Sequence, residues 1–228
     1  MIRTDSAATG TVDIWSARIE ESYDRHLEFL LAGDRTGCSG IVSQLLDDGI
    51  PIRKLYVELL QRSLYEVGVL WEQNRISVAR EHVATAITEF LLNLVYPRIF
   101  ADEHCGRTAV VACIANEQHL LGARMVADIL ELNGWHGHFL GANTTATELL
   151  SLITETQPDL LALSLSLRSN LPSLLAVVDL VQQSFPELAI IVGGQAFRSG
   201  GHELLAGLHG VTQLTSIDQL EELIRRFH

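Results

Sequence analysis

From about Ile14 to Phe100 apolar residues recur three and four positions apart, the spacing that lines one face of an α-helix. A first helix is predicted over Ile14–Leu31, ending near Gly33, and a second over Thr36–Leu46, stopped by Asp47-Asp48-Gly49 ahead of Pro51. The third, Ile52–Trp71, repeats Leu55, Leu59, Leu60, Ser63, Leu64 and Val67 along one face until Asn74 breaks it. Ser77 is the expected N-cap of a fourth helix that reaches Tyr96, where Pro97 removes a backbone donor. Four helices on short links predict a four-helix bundle over residues 15–100, behind a polar segment at 1–14.

Across residues 101–107 the rhythm changes, and short aliphatic runs begin to alternate with amphipathic helices. Strands are predicted at Thr108–Ile114, Trp135–Leu140, Leu160–Leu165, Leu188–Val192 and Val211–Leu214. Helices fall between and after them at Leu120–Asn133, Thr145–Thr156, Leu171–Phe185 and Ile217–Phe227. This alternation predicts a doubly wound parallel sheet over residues 106–228, with right-handed crossovers that place helices on both faces. The fold class is thus α followed by α/β.

Composition narrows the function classes. Of 228 residues 47% are hydrophobic and 19% charged, the balance of a folded globular chain. No apolar run approaches the roughly 18–20 residues of a membrane span, and the N-terminus has no signal-peptide pattern, so a cytoplasmic protein is expected. The net charge is −12, with 28 acidic against 16 basic residues and no Lys/Arg cluster, which argues against direct nucleic-acid binding. Cys38, Cys105 and Cys113 lack CxxC spacing and are expected to be reduced, mostly buried thiols. Phosphate-loop, HExxH and Ser-His-Asp patterns are absent.

In open α/β sheets ligands bind beyond the carboxyl ends of the strands. Just after the first predicted strand comes Asn116-Glu117-Gln118-His119-Leu120-Leu121-Gly122. A histidine there lies at the mouth of the crevice, and Glu117 can accept a hydrogen bond from its other ring nitrogen, fixing the tautomer and raising its basicity as a metal ligand. Gly122 admits a bulky ligand close to the backbone. Such an ExHxxG pattern is weak by itself, since a histidine ahead of a helix is commonly a surface or capping residue.

Spacing adds the specificity. Glu117–Gly122 is followed by 41 residues (123–163) before Ser164, and 26 residues (167–192) separate Ser166 from Gly193-Gly194. In this pattern the chain resembles the cobalamin-binding domains of methionine synthase, the corrinoid carriers and the CarH-type photoreceptors. The resemblance implies a flavodoxin-like, Rossmann-like cobalamin-binding domain in which His119 is the lower axial cobalt ligand and the cofactor's dimethylbenzimidazole tail runs into a slot. Ser164 would bond a tail nitrogen, Ser166 would line the slot, and Gly193-Gly194 would let the tail pass close to the backbone. One position departs from the S-x-L motif: its third residue is Ser166, flanked by Leu165 and Leu167.

The helical half carries Trp71, nine residues (72–80), then Glu81-His82. This W-x9-EH arrangement resembles the light-sensing group, in which it implies a pocket for the adenosyl group of adenosylcobalamin. An indole offers flat apolar area, a carboxylate accepts from ribose hydroxyls, and an imidazole bonds sugar or base. Taken singly, Trp71 would be a core aromatic and Glu81 a solvated carboxylate. The histidine that follows the tryptophan in the best-known photoreceptors is Glu72 here, so His82 or water would have to take the upper face of cobalt after light. Residues 1–14 are too short for a helix-turn-helix unit, which leads to the expectation of a sensor without a DNA-binding domain.

The resemblance therefore implies an adenosylcobalamin-binding light sensor, a dimer or tetramer that regulates a protein partner and is not an enzyme. Two alternatives share the site: a corrinoid methyl carrier of a methyltransferase system, for which methylcobalamin would be the cofactor, and a cobalamin-sensing anti-repressor. Radical mutase catalysis lacks its substrate barrel. Elsewhere, His136 and His138 flank Gly137 with one expected to face solvent, Gly200-Gly201-His202 reads as a loop, and Arg124 with Asp128 as a surface pair.

Overall fold

The structure is a computed structural model that describes residues 8–100, 103–197 and 210–227, with side chains from Ile14 onward. It divides into two compact units, Met1–Arg98 and Ile99–His228.

In the first unit α1 (Ala8–Ala32) starts ahead of the predicted Ile14, because the apolar period marks the buried stretch of a helix and not its backbone limit. It ends at Gly33, whose φ of +80° suits a residue without Cβ. The Asp34 side chain, accepting from Gly37 N–H at 2.9 Å, opens α2 (Arg35–Asp47). The third predicted helix is one helical run in three pieces, α3 (Ile52–Lys54), a π-helical stretch (Leu55–Gln61) and α4 (Arg62–Glu72). The wider π turn buries Leu55, Tyr56, Leu59 and Leu60 together, which a 3.6-residue period alone does not announce. Ser77 accepts from Arg80 N–H at 3.2 Å and begins α5 (Val78–Val95), which tightens into a 3-10 turn, Tyr96–Arg98, at Pro97. α1 packs on α2, α4 and α5, and Tyr23, Leu30, Val42, Leu45, Leu59 and Leu91 are buried.

His26 is fully buried in this unit, and neither ring nitrogen has a hydrogen-bond partner among the described residues. Burial pushes its pKa down from 6.5 to about 4, and it likewise pushes the Cys38 thiol up to about 11. The folded state thus keeps a neutral imidazole while the unfolded chain takes up a proton as pH falls below 6.5. Stability supplied by the neutral ring is complete above that value, declines through the window from 6.5 to about 4, and costs on the order of 3 kcal/mol once lost. Urea unfolding midpoints at pH 7.5 and 4.5 should therefore drop further for wild type than for His26→Leu. Equal drops in the two proteins would show that the ring does not titrate this way.

The second unit is a five-stranded parallel sheet in the order β2-β1-β3-β4-β5, from β1 (Thr108–Ile114), β2 (His136–Thr144), β3 (Leu160–Ser164), β4 (Ala189–Gly193) and β5 (Val211–Gln213). Its connecting and terminal helices are α6 (Leu121–Leu132), α7 (Ala146–Thr156), α8 (Leu171–Ser184) and α9 (Ile217–Ile224). This order is the flavodoxin-like doubly wound arrangement, in which the crevice opens where β1 sends one connection to β2 and the next crosses to β3. β1 and β3 are buried at nearly every position because both faces are covered, and Val110, Leu161, Leu163, Ile190 and Val192 pack with Leu149, Ile153, Leu174 and Val178. A capping box between Thr145 and Glu148 opens α7.

Three local expectations change. β2 runs on past Leu140 to Thr144, because two register shifts against β1 accommodate Gly141 (φ +82°) and the polar residues behind it. His136 and His138 are both exposed, since residues two apart on a strand share a face; His104 stacks on His136 with ring centroids 4.3 Å apart. Arg124 and Asp128 are a largely buried pair on α6, the Asp128 side chain only 3% exposed, with Nε–Oδ1 at 3.5 Å. Cys38 and Cys113 are buried and Cys105 half-buried, all three unbridged. Among the described residues no helix is long and apolar enough to cross a membrane. Gly200-Gly201-His202 lies outside the described residues.

Candidate functional site

Parallel pairing brings the distant motifs into one row. Cys113 of β1 pairs with Ser164 of β3, and Ser164 with Gly193 of β4, so the last turns of three neighbouring strands end level. Ser164 is buried in this row. Gly193 continues β4 with only moderate room: an added Cβ would lie 3.2 Å from the Leu214 carbonyl oxygen. Gly194 has a φ of +113°, and a Cβ there would sit 2.3 Å from the Leu165 carbonyl oxygen and 2.8 Å from its carbon. Close contact with the backbone of Leu165, just past β3, already requires glycine at that position, independent of any ligand.

Directly beyond β1, Glu117 is fully buried while the His119 side chain is 53% exposed. Oε1 of Glu117 accepts from His119 Nδ1 at 2.5 Å and from His119 N–H at 3.0 Å. Oε2 accepts from the backbone N–H groups of Ser166, at 2.9 Å, and Leu167, at 3.1 Å. Burial alone would push this carboxyl up, but the hydrogen bonds from the His119 ring, His119 N–H, Leu167 N–H and Ser166 N–H outweigh it and hold the carboxyl at about 2. Glu117 is therefore an anion throughout the neutral range. With Nδ1–H donated to it, a neutral His119 carries its lone pair on Nε2, the tautomer that a soft or borderline metal accepts. The Cys113 thiol, pushed up to about 12 by burial and by the nearby Glu117 charge, stays protonated and lies 3.7 Å from the His119 carbonyl oxygen.

Gly122, the second residue of α6, is exposed, and a Cβ added there would meet nothing within 4 Å. Open space beside an oriented imidazole suits a large planar group. Ser166 joins the site through its backbone N–H and not, among the described contacts, through its hydroxyl. Leu167, noted in the sequence only as a flank of the motif, contributes an N–H, and the residue is 46% exposed. Backbone donors carry no residue-type signal, so this half of the Glu117 clamp was invisible in the sequence. Also missed as contributors were Asn116, Asn143 and Asn170, whose hydrogen bonds tie the loop after β1 to the end of β2 and to the turn ahead of α8.

In the helical unit Trp71 is 45% exposed at the C-terminal end of α4, which rules out the core-aromatic alternative. Glu81 stands in the first turn of α5, its Oε1 accepting from the Thr85 hydroxyl at 2.9 Å, and His82 Nε2 lies 3.5 Å from Glu81 Oε2. Glu72 is exposed next to Trp71.

Residues 107–223 match the family model of the B12 binding domain. The chain belongs to the B12-binding family. A second model, also described as a B12 binding domain, matches residues 23–96 of the helical unit. Cobalamin is thus this B12-binding protein's cofactor, and the site fits it: an imidazole with a fixed tautomer, an anion buried behind it, and an open glycine beside it. Two transcriptional repressors of Myxococcus xanthus are similar. HTH-type transcriptional repressor CarA is 32% identical over 162 residues, 69% of this chain and 54% of CarA. HTH-type transcriptional repressor CarH is 28% identical over 176 residues, 75% of this chain and 58% of CarH. The chain spans just over half the length of these relatives. The monomethylamine corrinoid protein of Methanosarcina barkeri shares the fold, with a TM-score of 0.78 over 92% of this chain and 99% of that one at 13% identity.

Proposed function

We propose that this B12-binding protein is a cytoplasmic, non-enzymatic light sensor that takes adenosylcobalamin and regulates a partner protein, with a change of its own assembly as the output. The observation that carries the proposal is the exposed Trp71 with Glu81 and His82 close behind it in sequence, on a unit that itself matches a B12 binding domain. Similarity to two repressors, CarA and CarH, supports a regulatory role over a catalytic one.

In this mechanism His119 would be the residue that holds cobalt, and Glu117 would keep its imidazole oriented and basic. Ser164, Ser166, Gly193 and Gly194 would accommodate the cofactor's nucleotide tail, and Gly122 would give the ring room. Trp71 would offer its indole face to the adenosyl group, Glu81 would accept from its ribose hydroxyls, and His82 would be the side chain available to cobalt after light. When bound, adenosylcobalamin supplies a light-sensitive cobalt–carbon bond. Helical residues that contact only one of the two cofactor forms would then bias two packings of the bundle.

Protein reconstituted with adenosylcobalamin in the dark is expected to change both its absorption spectrum and its elution volume after green light. Spectral change without any change in assembly would leave a cobalamin carrier or vitamin sensor and sink the light-driven output.

A further inference from the structure

We propose that Asn143 is the positioning residue for His119, acting on the backbone of the loop that carries it. The inference rests on His119 being the cobalt ligand. Asn143 lies near the end of β2, past the first register shift and within the second (between Gly141 and Thr144), where a bulged strand can re-aim its last residues. Its Oδ1 accepts from Asn116 N–H at 2.8 Å, and its own N–H donates to the Glu117 carbonyl oxygen at 2.9 Å. The remaining backbone groups of the pair are taken as well. Glu117 N–H donates to the Ile114 carbonyl at 3.0 Å, and the Asn116 carbonyl accepts from Asn170 Nδ2 at 3.1 Å.

Both central residues are in the left-handed region, Asn116 at φ +67° and Asn143 at +54°, a conformation that asparagine tolerates better than other residues with a Cβ. The backbone of residues 116–117 is thereby gripped from the β2 end, from β1 and from the turn ahead of α8. That grip has a purpose visible in the clamp: Glu117 must present Oε1 to His119 and Oε2 to Ser166 and Leu167 at the same time. A rotated loop would satisfy one oxygen at the expense of the other. Ordering the loop before the cofactor arrives spares binding that cost. The position demands a left-handed backbone and an acceptor on the side chain. Asparagine and aspartate offer both, glycine only the first.

The test loads the full chain with cob(II)alamin and reads the nitrogen splitting in its electron paramagnetic resonance spectrum, using protein with natural or 15N-labelled histidine. Wild type should show three lines with natural histidine and two with the label. Asn143→Gly should bind roughly three- to tenfold more weakly, the worth of one hydrogen bond, and part of its labelled spectrum should revert to the three lines of the cofactor's own base. Asn143→Asp should match wild type in both respects. The proposal is overturned if Asn143→Gly is indistinguishable from wild type, or if Asn143→Asp loses as much as Asn143→Gly. A wild-type spectrum indifferent to the label would remove the His119 ligand assignment itself, and that failure is seen before any substitution is made.

Discussion

Alanine in place of His119 is expected to lower cobalamin affinity by about a hundredfold or more and to abolish the spectrum of a cobalt held by a protein histidine. Partners one shell behind a metal ligand typically contribute ten- to hundredfold, so the ligand itself should contribute at least the upper end. The fold should survive, because the side chain is 53% exposed and its loss opens no core cavity. Glu117 would keep three backbone donors, from His119, Ser166 and Leu167, and so would not be left as an unpaired buried charge. Absorption titration of the variant decides the matter. Unchanged affinity together with an unchanged base-off spectrum would contradict the role of His119.

Gly194→Ala is expected to act on the fold before it acts on the cofactor. The new Cβ would fall 2.3 Å from the Leu165 carbonyl oxygen, and φ of +113° is strained for any residue with a side chain. Backbone strain and the displaced β3–β4 end together should cost about 3 kcal/mol or more, lowering Tm by roughly 10 °C in the protein without cofactor. Gly193→Ala provides the contrast. Its Cβ would lie 3.2 Å from the Leu214 carbonyl oxygen at an ordinary φ, so a shift of a few tenths of an ångström absorbs it. That variant should keep Tm within a few degrees while weakening cobalamin binding if the tail passes there. Equal losses of Tm in the two variants would show that the Leu165 contact is not what demands glycine at 194.

Much of this site was legible in the sequence for a definite reason. Strand-end loops of a doubly wound sheet converge on one edge, so Glu117-x-His119, Ser164 and Gly193-Gly194, once the family resemblance had singled them out, could be placed near one another. The register confirms the mechanism of that convergence, with Cys113, Ser164 and Gly193 in one row. Less legible were contacts made by backbone. The N–H groups of Ser166 and Leu167, which with His119 hold the Glu117 carboxyl at about 2, belong to any residue type. Gly194 had been read as room for a ligand, yet the structure gives it a prior duty against Leu165.

What the sequence by itself determined is whatever depends on periodicity and local chemistry. That includes the bundle, the alternation of strands and helices, the cap at Ser77, and the residue types that can orient an imidazole. Tertiary structure alone decided the π-helical stretch Leu55–Gln61, the bulged extension of β2 to Thr144, the burial of Asp128 and His26, and the grip of Asn143 on the His119 loop. Each of these depends on which backbone or side chain arrives from a distant element. A local pattern records what one segment prefers, whereas register, burial and long-range hydrogen bonds are settled only when segments meet.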